Sequence, residues 1–328
     1  MKLLRTIANV MKYCATEEYI ILSDDYTYIY DINLDLLKEI KKRCSILIQF
    51  NKTILFQEQN GESIFKIEKS TLKEKIGKYF LSQYFIVGDN LFVLNENDSI
   101  IEFDSNLNEL KKYTIGRFPK FLFFNKFIRT PNGKIICYDL YSNSILWEYN
   151  FSDLLNGIEI KQIGEFIFND DKIYFYLYDD RGSYRSTICI DVNTGEILHK
   201  YGNFGGDLYL FEKKIGVAAY NTIQILDTLT NQVEEYDFSE ILAEHKLEIR
   251  WNGNIFTEEG LLYFIGTGGA KNKVGLLNLK TQELLWHASF DIPETEYNIN
   301  QQVSNIKLQE NKFYVHCSDN TLHIFENE

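Results

Sequence analysis

The sequence predicts an all-β chain of repeated four-stranded antiparallel units, closed end to end. Three observations carry that reading: an aromatic-rich composition, a strand–turn–strand pattern that recurs along the chain, and a half unit left over at each terminus. Of 328 residues, 45% are apolar and 15% aromatic, with 24 Phe and 22 Tyr. That is enough apolar side chain for a large core, and Phe- and Tyr-rich segments favour strands over helices.

The recurring pattern is a strand that ends on a polar anchor. It reads Tyr28-Ile29-Tyr30-Asp31, Ser63-Ile64-Phe65-Lys66, Ile101-Glu102-Phe103-Asp104 and Ile136-Cys137-Tyr138-Asp139. It continues with Cys189-Ile190-Asp191, Ile225-Leu226-Asp227 and Leu276-Leu277-Asn278. Six positions after each anchor stands an aliphatic residue: Leu37, Leu72, Leu110, Ile145, Ile197, Val233 and Leu284. With roughly half of all residues apolar, seven chance agreements have odds of about one in a hundred. An anchor Asp can accept hydrogen bonds from turn amides, as Asx-turns do. Asn193-Thr194-Gly195, Ser142-Asn143 and Thr230-Asn231 suit the tight reversal that follows. The next strand is then expected to bury its aliphatic residue.

Upstream of the anchors there is room for two more strands, such as Leu91–Leu94, Lys172–Tyr176, Leu261–Ile265 and Phe313–His316. The anchors are 35 to 52 residues apart, a period that fits four short strands per unit, as in the blades of a β-propeller. The last unit, Thr321 to Glu326, lacks a partner strand, and Lys2 to Ile7 has no other role. Residues 2–7 are therefore expected to complete the last blade and close the ring, which removes exposed sheet edges. Eight blades in one domain over residues 1–328 is the predicted architecture. Seven blades is the alternative, if one early unit is misread.

The turn Asp191-Val192-Asn193-Thr194-Gly195 resembles the quinoprotein-like propeller repeat, of the PQQ-like and WD40-like kind. There a strand ends in Asp, Thr-Gly follows at three and four positions, and Trp at eight. Here His199 replaces that Trp; Asp139 keeps it as Trp147, and Asn278 keeps Thr281 and Trp286. The resemblance implies a propeller whose Trp residues pack between blades. Family dehydrogenases carry a quinone, calcium and often a vicinal cysteine pair. No Cys-Cys dipeptide and no matching acidic cluster occurs here, so the resemblance implies a non-catalytic member, such as an assembly scaffold.

Charge and chemistry narrow the function. With 47 acids against 34 bases the net charge is −13, which repels nucleic-acid backbones and anionic membranes. The apolar residues near the N-terminus are broken by Arg5 and Asn9, so no secretory signal is read there. No run of 18 apolar residues occurs. Cys14, Cys44, Cys137, Cys189 and Cys317 are widely spaced without a CxxC pair, the pattern of buried free thiols in a reducing cytoplasm. His199 and His287 stand at or beside the inter-blade position. His316 and His323 are expected to face each other across a hairpin, and ordinary packing is the reading for both. Gly266-Thr267-Gly268-Gly269-Ala270-Lys271 lacks Walker spacing and reads as a hairpin tip. Asp170-Asp171 and Asp179-Asp180 read as solvated turns. No catalytic set, cofactor or metal site is expected.

Strand direction alternates in a blade, so loops after second and fourth strands emerge on one face. The long insertions 150–164, 237–253 and 289–304 follow fourth strands, and the long tips 179–185 and 266–273 follow second strands. Phe238 to His245 reads as a short helix capped by Ser239. Loops on a rigid scaffold commonly carry function, and Trp, Tyr and Arg favour interface hot spots. The expected partner-binding residues are Asp179, Asp180, Arg181, Tyr184, Arg185, Glu244, Arg250, Trp251, Glu294, Glu296 and Tyr297. They imply a cytoplasmic, non-enzymatic protein that binds another protein of basic surface, in its specific form an immunity protein that neutralises a toxin domain. A ligand- or carbohydrate-binding channel, or an enzyme, is the alternative.

Overall fold

Strands in the computed structural model pair with their neighbours along the chain, with one exception at the termini. Residues 1–50, 53–58, 63–68, 71–76, 84–95, 99–114, 119–155, 162–179, 185–294 and 301–327 are described. Among them the strands form eight four-stranded sheets, seven of them in simple chain order. The first seven span 12–40, 44–76, 84–114, 121–150, 162–202, 209–237 and 255–289. The eighth joins Val303–Gln309, Lys312–Cys317 and Leu322–Glu326 to Lys2–Ile7. Lys2 lies opposite Glu326 and Ile7 opposite Leu322, in antiparallel register with an irregularity between Leu3 and Arg5. The two termini thus meet in one sheet.

Two compact units make up the chain. Met1–Ala8, Pro131–Ile135 and Glu148–Glu328 form one, and Asn9–Thr130 with Ile136–Trp147 form the other. In both, apolar cores lie between consecutive sheets. In the larger unit, Tyr174, Cys189 and Tyr201 of the fifth sheet pack with Ile215, Val217 and Leu226 of the sixth. Tyr263, Ile265 and Leu276 of the seventh pack with Phe313, Val315 and Phe325 of the eighth. In the smaller unit, Ile48, Phe50 and Leu55 pack with Leu91, Val93 and Ile101. Sheets buried on both faces need apolar residues at consecutive positions in their inner strands. Residues 173–177 and 186–190 are accordingly buried without a break.

The anchors work as Asx turns. Asp31 accepts from the amides of Asn33 and Asp35, and Asp104 from those of Asn106 and Asn108. Asp139, Asp191, Asp227 and Asn278 each accept from the amides two and three positions on. Four positions on, Asn143, Gly195, Asn231 and Gln282 have φ of 54°, 78°, 59° and 57°, which explains Asn and Gly at this point. The side chain of Lys66 lies outside the described residues.

One expectation holds only in part. Of the aliphatic residues six positions after the anchors, Leu37, Leu110, Ile145 and Val233 are 47%, 54%, 54% and 40% exposed. Ile197 and Leu284 are half-buried, with Leu284 packed against a core, and the side chain of Leu72 lies outside the described residues. Fourth strands are sheet edges, and their buried side chains come later, at Ile40, Tyr113, Trp147 and Tyr201. Trp286 packs edge-on against Phe313 and Phe325 of the next sheet, the inter-blade role its motif implied. His199 is exposed, and Tyr201 two residues on is buried in its place.

Tyrosines ten positions after an anchor fasten one sheet to the next. The Tyr149 hydroxyl donates to the Gly195 carbonyl at 2.6 Å, and Tyr201 donates to Asn231 Oδ1 at 2.7 Å. Both acceptors are the fourth residue of the neighbouring Asx turn. Tyr149→Phe and Tyr201→Phe should each lower stability by about 1 kcal/mol in urea denaturation, with unchanged far-UV circular dichroism.

Hydrogen bonds from turn amides and hydroxyls hold the Asp139 and Asp227 carboxyls below their ordinary range. A depressed carboxyl stabilises the fold above its unfolded pKa and loses that contribution as pH falls through its folded pKa. Asp227→Asn keeps an acceptor, as Asn278 does natively. It should match wild type less well at neutral pH than under acid, so the gap in Tm narrows as pH drops below about 4.

Candidate docking face

The chain leaves several fourth strands by the same device. The amide of the departing residue donates to a carbonyl at the tip of the same sheet's second hairpin. Phe151 bonds Gly133 at 2.8 Å, Asn203 bonds Arg185 at 3.0 Å, Phe238 bonds Asn221 at 2.9 Å and Phe290 bonds Asn272 at 3.0 Å. Phe151, Phe204, Phe238 and Phe290 are buried beneath these exits. Fourth-strand exits and second-hairpin tips therefore share one face of each of these sheets.

On that face the 237–253 and 289–304 insertions are stitched to the 266–273 tip. Ile249 bridges Tyr220 on one side and Gly266 on the other. Arg250 N donates to Ile265 O at 2.7 Å, Thr267 N to Glu248 O at 2.9 Å, and Val303 N to Lys271 O at 2.9 Å. Lys273 Nζ reaches Lys246 O at 3.0 Å. The glycine-rich tip contains a 3₁₀ turn, Gly268–Ala270. Helix α1 (Phe151–Leu154) begins the insertion after the fourth sheet, and α2 (Ser239–Glu244) the one after the sixth. Ser239 does not cap α2. It is the first helical residue, and its amide and hydroxyl both donate to Asp237. The capping carboxylate stands two positions before the residue expected, because Phe238 turns inward between them.

Among the expected contact residues, Trp251 is 51% exposed, and Glu244, Glu294 and Arg185 are also exposed. Asp179 is half-buried. Asp180, Arg181, Tyr184, Glu296 and Tyr297 lie outside the described residues. Arg250 is turned inward: its guanidinium donates to the carbonyls of Asn252, Val303 and Ser304 at 3.0, 3.1 and 3.3 Å. Burial holds its pKa below the usual arginine value. It ties the 237–253 insertion to the 289–304 insertion and so positions Trp251 beside it. Asp170, expected in a solvated turn, pairs with Lys213 at 2.7 Å.

Beneath the loops, the first strands of the larger unit, Gln162–Asn169, Tyr209–Phe211, Ile255–Phe256 and Val303–Gln309, run side by side. Here lies a titratable group that sequence reasoning missed. Burial, with the nearby Glu165 carboxylate, pushes the Asp207 carboxyl up to about 6, against the pull of Arg250. The Tyr209 hydroxyl accepts from the Gly253 and Asn254 amides. Asp207 follows Gly205-Gly206 in a loop, and no residue pattern marks it.

His316 pairs with Leu322 and His323 with Val315, so the two do not face each other. His323 Nδ1 meets Thr6 Oγ1 at 3.1 Å and its ring lies 4.5 Å from Phe290. No group of three or more metal-ligating side chains occurs among the described residues. All five cysteines are free, buried and on strands, and burial pushes the Cys137 and Cys317 thiols up to about 12.

No family model matches this sequence, and no curated protein does. Solved structures do match. BamB from Moraxella catarrhalis aligns over 99% of this chain and 99% of its own, at 11% identity and a TM-score of 0.59. The chain has a β-propeller fold. Sqt1 from Saccharomyces cerevisiae covers 100% of both chains at 9% identity, TM-score 0.61. The dihydro-heme d1 dehydrogenase NirN covers 89% of this chain and 68% of its own at 12% identity, TM-score 0.58. These likenesses show the β-propeller fold that the turn motif implied, and at such identity they extend to fold alone. No described helix is long and apolar enough to cross a membrane.

A carboxyl raised above its unfolded pKa weakens the fold when it ionises. Asp207→Asn should therefore raise Tm at pH 8, and the gain should fade as pH falls below about 6. Thermal denaturation across that range measures it.

Proposed function

We propose that this propeller is a non-enzymatic protein-binding module of the cytoplasm and that its stitched loop face is the docking surface. The observation that carries this reading is the fusion of two insertions and the glycine-rich tip into one hydrogen-bonded layer with Trp251 exposed upon it. A preorganised loop surface spends little entropy on binding, and an exposed Trp is a residue favoured at interface hot spots. Exposed Glu244 and Glu294 and the net charge of −13 favour a basic partner, through faster and salt-sensitive association. The specific form of the proposal is an inhibitor that neutralises a basic toxin domain, without nucleic acid or membrane.

Affinity purification from the native cell, repeated with Trp251→Ala and with the double variant Glu244→Lys, Glu294→Lys, tests the reading. The expected outcome is a basic protein retained by wild type, released by moderate salt and lost by both variants. Trp251→Ala should leave Tm within about 1 °C, as surface substitutions do. A partner held equally by all three proteins would move the docking surface elsewhere.

A further inference from the structure

The hairpin that joins Lys214–Ala219 to Thr222–Asp227 turns in two residues, Tyr220 and Asn221, with Ala219 opposite Thr222. Tyr220 holds φ of +58°. This first turn position in a two-residue hairpin is where glycine is favoured, because a Cβ there is strained. The Tyr220 side chain gives the fold nothing visible in return. It is 61% exposed, and its hydroxyl bonds no other described residue. A bulky residue kept at a strained, solvent-facing point is a mark of function.

The ring borders a cavity of ≈ 430 Å³ between the fifth and sixth sheets. Among the described residues its wall is almost wholly hydrogen-bonding: Arg185, Asn203, Asn221, Thr222, Glu235 and Ser239 line it, with Val217 the one aliphatic side chain. Glu235 accepts from Gln224 Nε2 at 2.8 Å, and the Asn203 backbone N–H donates to Arg185 O. Asn221 Oδ1 is buried with no hydrogen-bond partner, so a donor brought to it by rotation of the amide relieves a real cost.

We infer that this cavity is a saccharide-binding site, with Tyr220 as the stacking platform. Amides and hydroxyls that both donate and accept, flanked by one guanidinium and one carboxylate, match a polyhydroxylated ligand, and one face of a sugar ring stacks on an aromatic plane. An apolar peptide side chain would meet Val217 and otherwise polar walls. The volume suits a mono- or disaccharide, within the common range for small-ligand pockets. The inference does not depend on the docking face, since it concerns the isolated chain.

The test uses the full chain with glucose, galactose, N-acetylglucosamine, maltose and cellobiose, followed by saturation-transfer NMR and calorimetry. At least one should bind wild type. Tyr220→Gly should weaken that binding about tenfold, and Arg185→Ala should weaken it too, while Tyr220→Gly leaves Tm unchanged or raises it. Should glycine itself loosen the hairpin, Tyr220→Asn keeps a residue that tolerates positive φ and must show the same loss of binding. Failure of all five sugars to bind overturns the inference. So does unchanged affinity in both Tyr220 variants, or binding of lysine or aspartate in place of every sugar.

Discussion

The pairing of the first strand with the last is the constraint on which the final sheet depends. Val303–Gln309, Lys312–Cys317 and Leu322–Glu326 would otherwise end on an open edge, and Lys2–Ile7 fills it. The apolar residues behind that edge, Leu322, Ile324 and Phe325, are at most 6% exposed. Phe325 belongs to the core that also holds Tyr263 and Phe290, with Met1 packed against it. The pairing links residues more than three hundred positions apart, so its loop-closure entropy must be met before the contact contributes. Burial of the seventh and eighth sheets against each other is what offsets it.

A second layer of order runs from sheet to sheet. Four of the Asx turns fix a left-handed residue four positions after the anchor, those at Asp31 and Asp104 fix one three positions after it, and in two places a tyrosine from the preceding sheet bonds the residue at four. The turn is thus both the corner of one sheet and the receptor for its neighbour. On the other face, buried phenylalanines and amide-to-tip hydrogen bonds do the corresponding work. Loops that leave such exits start from a fixed direction, which is why long insertions there can stitch together.

Much of this was legible in the residues. Alternation and anchor spacing placed the strands, because strand period and turn chemistry are local properties. Pairing of the termini followed from counting strands. The aliphatic residues six positions past the anchors at Asp31, Asp104, Asp139 and Asp227 face outward, since apolarity alone does not tell which face of an edge strand looks outward. The recurrent Phe in Asn150-Phe151, Asn203-Phe204, Asp237-Phe238 and Ser289-Phe290 was present as a signal, one that marks where each exit turns inward. Arg250 looked like a surface anchor but proved to be a clamp, because its three carbonyl partners come from its own loop and one fifty residues away. Asp207 and Tyr220 draw their character from neighbours brought in by folding and from backbone angle, and a linear reading carries neither.

Hydrogen–deuterium exchange at Leu322–Glu326, compared between the full chain and one lacking residues 1–8, tests the central pairing most directly. With Lys2–Ile7 in place that strand is interior to its sheet. Its amides should exchange slowly in the full chain and at the rate of an edge strand such as Val303–Gln309 in the shortened one. Equal protection in both chains would contradict the account.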